Sequence, residues 1–140
     1  MTNRSLMRVV TDLITRLEAG TLTEGFRQRL QRGSAKGLVG IISDPRDPAQ
    51  LIMVVRFEIM PGASQDREAF FLQLLTLNHR LHGRASFSLD DEGTVHLSSG
   101  RPLEDLDPGE IVDMILWTSE QADHFDDLLM EAFPSPDASR

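Results

Sequence analysis

Cysteine is absent from all 140 residues, which removes disulfides, thiol nucleophiles and cysteine metal sites together. Such a composition suits a reducing cytoplasm, the expected location. No stretch approaches the roughly 18 apolar residues of a membrane span. The opening, MTNRSLMRVVTDLITRLEAG, is interrupted by Arg4, Arg8, Asp12 and Arg16 and so lacks the apolar centre of a signal peptide. There is no Walker loop, no GxSxG elbow and no GxGxxG; Ser98, Ser99 and Gly100 read only as a turn before Pro102. Basic residues are scarce where acids crowd. Residues 90–133 hold thirteen acids against Arg101 alone, while residues 1–37 hold seven basic groups against Asp12, Glu18 and Glu24. The chain carries a net charge of -8, and its long acidic section repels phosphate, which disfavours a general polyanion binder.

What remains is a chain with 40% apolar residues, long enough for one core without staples. Residues 5–19 place Leu6, Val9 or Val10, Leu13 and Leu17 at helical spacing before Gly20. In the next stretch, Phe26 and Leu30 fit a helix at i,i+4, but alternation with Arg27, Arg29 and Gln31 favours a first edge strand guarded by charge. LVGIISD and QLIMVVRFEIM are the plainest strands, joined by the turn DPRDPA. Ser64 is the expected N-cap of a helix over 65–82 that stops at Gly83. ASFSL and TVHLS alternate around DDEG as a hairpin, burying Ala85, Phe87, Leu89, Val95 and Leu97. At DPGE, Asp107, Pro108 and Glu110 predict a capping box opening a last helix with Ile111, Ile115, Ala122, Phe125 and Leu129 inward, widened by Met114, Trp117 and Leu128. The order predicts one α+β domain over 1–133, arranged α-β(2-3)-α-β-β-α with an antiparallel sheet packed against helices. A disordered tail is expected at 134–140.

The helix EAFFLQLLTLNHRL is apolar on two sides, although one core needs a stripe only about 100° wide. Phe70, Leu74, Leu77 and Leu81 form one face, and Phe71, Leu72 and Leu75 a second; the pattern leaves open which is internal. We assign Phe71, Leu72 and Leu75 to a homodimer interface.

The wording LLTLNHRLHGRASFSLDDEGTVHLSSGRPLEDLDPGEIVDMILWTSEQADHF resembles the YbjN-like proteins and the type III secretion chaperones of the Tir-chaperone kind. The shared features are a helix ending in an LLxLN run, a hairpin with an acidic-Gly turn, a PLEDLD link and a closing helix. The resemblance spans roughly residues 38–133 and is sharpest from 72 to 125. It implies a non-enzymatic bacterial domain, usually dimeric through the helix at 65–82, that binds another protein by wrapping an extended segment of it over the sheet. On that reading a client lies on Val39, Ile41, Ile52 and Val54, with backbone pairing at an exposed edge. The motive within the residues is the second, partly apolar face of QLIMVVRFEIM.

His79 and His82 stand at a spacing that two metal ligands use, but no third ligand is placed beside them and the C-terminal dipole suits such residues. Neither a metal nor another cofactor is expected. LDDEG is too short for a calcium loop, and Asp123, Asp126 and Asp127 read as a solvated helix face. Arg27, Arg29, Arg32 and Lys36, with Phe26, leave a regulatory factor touching nucleic acid as the alternative function.

Overall fold

Strands β2 (Ala35–Asp44) and β3 (Asp47–Met60) form because they are rich in β-branched and other apolar residues, and each side chain is fixed to one face by the pleat. The computed structural model describes residues 4–134, so the tail expected at 134–140 lies, Pro134 apart, outside the described residues. Within them, α1 (Arg4–Ala19) and β1 (Arg27–Arg32) precede this pair. After it come α2 (Arg67–Leu81), β4 (Ser86–Leu89), β5 (Val95–Pro102) and α3 (Pro108–Ala132). The strands make one antiparallel sheet in the order β1-β2-β3-β5-β4. The α+β arrangement and the edge position of β1 are as the sequence predicts.

Helices α1 and α3 pack on one another and on a single face of the sheet. That face supplies the core: Leu30, Val39, Ile41, Met53, Val55, Phe57, Val95 and Leu97 meet Leu6, Val10 and Leu13 of α1 and Ile111, Ile115 and Leu129 of α3. A register shift between Glu58 and Met60 turns both Ile59 and Met60 inward. The capping box of α3 is present, with the Asp107 carboxylate accepting from Glu110 N–H and the Glu110 carboxylate accepting from Asp107 N–H.

Helix α2 stands apart from the other two and docks beside β4. Its anchor is Asn78, whose side-chain amide accepts from the Phe87 N–H at 2.6 Å and donates to the Phe87 carbonyl at 3.3 Å. Phe87 is opposite Leu97 on the inner side of β4, so Asn78 occupies the outer side as a substitute strand. Phe70 adds an edge-to-face contact with Phe133, ring centroids 5.2 Å apart.

Several expectations need correction. The N-cap of α2 is Asp66, in the left-handed conformation and without a side-chain cap bond, rather than Ser64. Residues 98–100 belong to β5 and are no turn; Val54, Val55 and Arg56 pair with them. Leu89 and Leu128 are exposed: Leu89 is the last residue of the short strand β4, at the mouth of the hairpin turn, and Leu128 sits beyond the α3 stripe. Most consequential, Val39 and Ile41 do not share a face with Ile52 and Val54. The register pairs Val39 with Val55 and Ile41 with Met53, which sends both into the core at 0% and 2% exposure. The alternation of the pleat dictates this, because one face of β2 had to match the inner face of β3.

Candidate functional site

The uncovered face of the sheet can be read row by row from the register. Ile42 pairs with Ile52, and Ile52 with Pro102; Arg27 pairs with Gly40, Gly40 with Val54, and Val54 with Gly100. The next row runs Arg29, Leu38, Arg56, Ser98, Ser86, and the last Gln31, Lys36, Glu58, His96, Ser88. One end of this face is therefore aliphatic and the other polar, with cations between. Ile52 and Val54 lie on it as the sequence predicts, joined by Leu38 and Ile42 in place of Val39 and Ile41. An open groove of about 400 Å³ lies at the aliphatic end, lined by Phe26, Arg27, Leu38, Gly40, Ile42, Val54 and Arg56, among others.

A second apolar surface is on α2. Phe70, Leu74 and Leu77 point inward, which settles the two-face question; Leu72 and Leu75 remain 60% and 65% exposed, and Phe71 is half-buried against Phe70 with Arg67 over its ring. The two surfaces lie toward opposite ends of the sheet, one over β1 to β3 and the other beyond β4.

The remaining candidates resolve into structure. His79 and His82 are exposed, and the His82 N–H caps α2 by donating to the His79 carbonyl. Among the described residues no group of three His, Asp or Glu side chains is arranged to hold a metal ion. In the DDEG turn, the Asp90 carboxylate accepts from the N–H groups of Glu92 and Thr94 and lies 2.9 Å from His96 Nε2; the His96 contact above all holds its pKa below the usual carboxylate value. Asp126 is pushed the other way, first by burial and then by Asp127 and Asp123. The basic cluster divides: Arg32 turns to the helix side and donates to Ser119 Oγ at 3.3 Å, whereas Arg27, Arg29 and Lys36 stay on the uncovered face with Arg56. Asn78 was missed by the sequence reading, although a polar residue set between Leu74 and Leu81 on an inward helix surface was a usable signal.

No protein-family model matches this sequence, and no curated protein does. Solved structures do. A chain of the ExsC–ExsE complex aligns at a TM-score of 0.63 and 14% identity, covering 88% of this chain and 94% of that one. The HopA1–SchA chaperone–effector complex gives 0.55 and 11%, covering 87% and 97%. The ExoU–SpcU complex from the type III secretion system of Pseudomonas aeruginosa gives 0.54 and 17%, covering 87% and 98%. The fold is type III secretion chaperone-like. At such identities the chaperone-like fold says how the backbone runs, and the chemistry of its surfaces has to be read from the residues of this chain. No helix among the described residues is long and apolar enough to cross a membrane.

Proposed function

We propose that this chain is a non-enzymatic, chaperone-like adaptor of the bacterial cytoplasm that pairs with a second copy of itself and holds a partner protein on its uncovered sheet face. The chaperone–effector complex among the structures of shared fold supports the partner, as does the resemblance to secretion chaperones and YbjN-like proteins. The observation that carries the pairing is the adjacent, largely exposed Leu72 and Leu75 on an anchored helix. Fully burying one leucine contributes about 1.5–3 kcal/mol, so the exposed fraction of each is worth roughly 1–2 kcal/mol. Four leucines across a two-fold contact give roughly 4–8 kcal/mol, comparable with the lower range of association costs. Flanking contacts from Phe71 and Arg67 then decide how tight the pair is.

Light scattering on wild type and on Leu72→Glu with Leu75→Glu tests this. A wild-type dimer that becomes a folded monomer is expected, and neither substitution touches the core. A wild type that stays monomeric at tens of micromolar would remove the pairing. The partner surface is tested separately by Val54→Asp, which is expected to leave fold and pairing intact while abolishing partner capture.

A further inference from the structure

The uncovered face carries more than apolar area. Among the described residues, Arg27, Arg29, Lys36 and Arg56 make no ion pair, and all four are exposed. Glu58 is the carboxylate in their rows, Glu24 lines the groove beside Arg27, and Asp90 reaches the face at His96, so among the described residues four cations stand against three carboxylates in a chain of net charge -8. Salt pairing within the fold does not account for these cations, although acids are abundant elsewhere.

The glycines of the second row add an independent observation. A Cβ built at Gly40 would come no nearer than 3.5 Å to any neighbour, and one at Gly100 likewise 3.5 Å, both ordinary contacts. Neither position requires positive φ. Gly37, on the same strand, is different, since a Cβ there would lie 2.7 Å from the Phe57 ring. The internal packing thus demands glycine at 37 but not at 40 or 100. What those two glycines do is flank Val54 with bare backbone, opening a trough across the sheet between aliphatic side chains and the arginine row.

Resting on the adaptor reading above, we infer that the partner segment held here is extended and both apolar and acidic. Its aliphatic side chains fill the trough at Gly40, Val54 and Gly100, and its carboxylates meet Arg27, Arg29 and Arg56. A guanidinium presents a planar fork that suits a carboxylate, and an arginine flanking an apolar slot favours such a segment over a basic one. A nucleic acid fits less well. Among the described residues Phe26 is the one aromatic at the groove, and Arg16 already lies over its ring at 5.1 Å.

The experiment is selection of a random twelve-residue phage-displayed peptide library on the immobilised full chain, with a labelled single-stranded DNA as a second probe. Selected peptides are expected to be enriched in Asp and Glu together with Leu, Ile or Val. One exposed ion pair is worth a factor of about 1.4 to 5, so Arg29→Glu with Arg56→Glu, losing two pairs and adding two repulsions, should weaken such a peptide roughly tenfold. Gly40→Leu should weaken it to a similar degree by filling the trough, with thermal unfolding unchanged. Apolar peptides without acidic enrichment, bound equally by the charge-reversed variant, would overturn this inference and leave the adaptor reading standing. No selected peptide at all would overturn both. DNA binding that the charge reversal abolishes would reassign the face to a polyanion, and a charge-reversed variant that loses its dimer mass would reassign it to a second copy.

Discussion

Replacing Asn78 with Ala removes the two hydrogen bonds that fasten α2 to the backbone of Phe87. A protein hydrogen bond contributes about 0.5–1.5 kcal/mol net, and a donor or acceptor left dry costs more. Phe87 is buried, so its N–H and C=O gain water only if α2 lifts from the edge of β4. The loss should therefore be about 2 kcal/mol, which for a chain of this length lowers the thermal midpoint by roughly 6–10 °C. Circular dichroism melts measure it. Hydrogen exchange supplies the local readout: the Phe87 amide should exchange about thirtyfold faster while amides at the centre of β3 change only with global stability. Asn78→Asp should be worse than wild type as well, since a carboxylate still accepts from Phe87 N–H but cannot donate to the Phe87 carbonyl. A midpoint lowered by less than about 2 °C, with the Phe87 amide still protected, would refute the anchoring role.

Three other outcomes follow from the geometry. Gly37→Ala should cost more than about 2 kcal/mol because Phe57 and the Arg56 carbonyl occupy the space of the added methyl, whereas Gly40→Ala should stay within about 1 kcal/mol; urea midpoints compare the two. Arg84 lies 4.0 Å over the ring of Trp117 and donates to both oxygens of Asp113, so Arg84→Ala should cost about 1 kcal/mol and red-shift the emission of this sole tryptophan. The raised pKa of Asp126, due first to burial and then to Asp127 and Asp123, means that its contribution is intact below the ordinary carboxylate range and is lost as pH rises through the folded value. Asp126→Asn should thus be more stable than wild type at about pH 7, with the advantage gone near about pH 3, as urea midpoints at the two pH values would show.

The strands and helices were legible where periodicity and caps agree. Asp107, Pro108 and Glu110 announced α3, and the arginines of β1 announced a guarded edge. The candidate site was legible only by half. Ile52 and Val54 were recognisable as a second face of β3, but the matching face of β2 was not, because LVGI is apolar at both parities and only the register with Val55 and Met53 decides which residues turn inward. Distance along the chain hid the rest. Arg56 joins Arg29 across Leu38, and Gly100 joins Gly40 across Val54, through pairings that no local pattern encodes. On α2 the two apolar faces were visible, and their assignment needed Asn78, whose bonds to Phe87 fix the rotation of the helix.

That same bond pair has a bearing on polymerisation. Beyond β4 the sheet is plugged by Asn78, while among the described residues β1 has no strand on its outer side. A fibre assembled strand by strand requires every unit to offer two live ends. This unit offers one. If β1 of one copy met β1 of another, the doubled sheet would end in a plug on both sides, and a partner strand added at β1 would likewise find nowhere to propagate. Asn78 thus acts as a chain terminator, allowing edge recognition at β1 without the runaway growth that an open sheet invites.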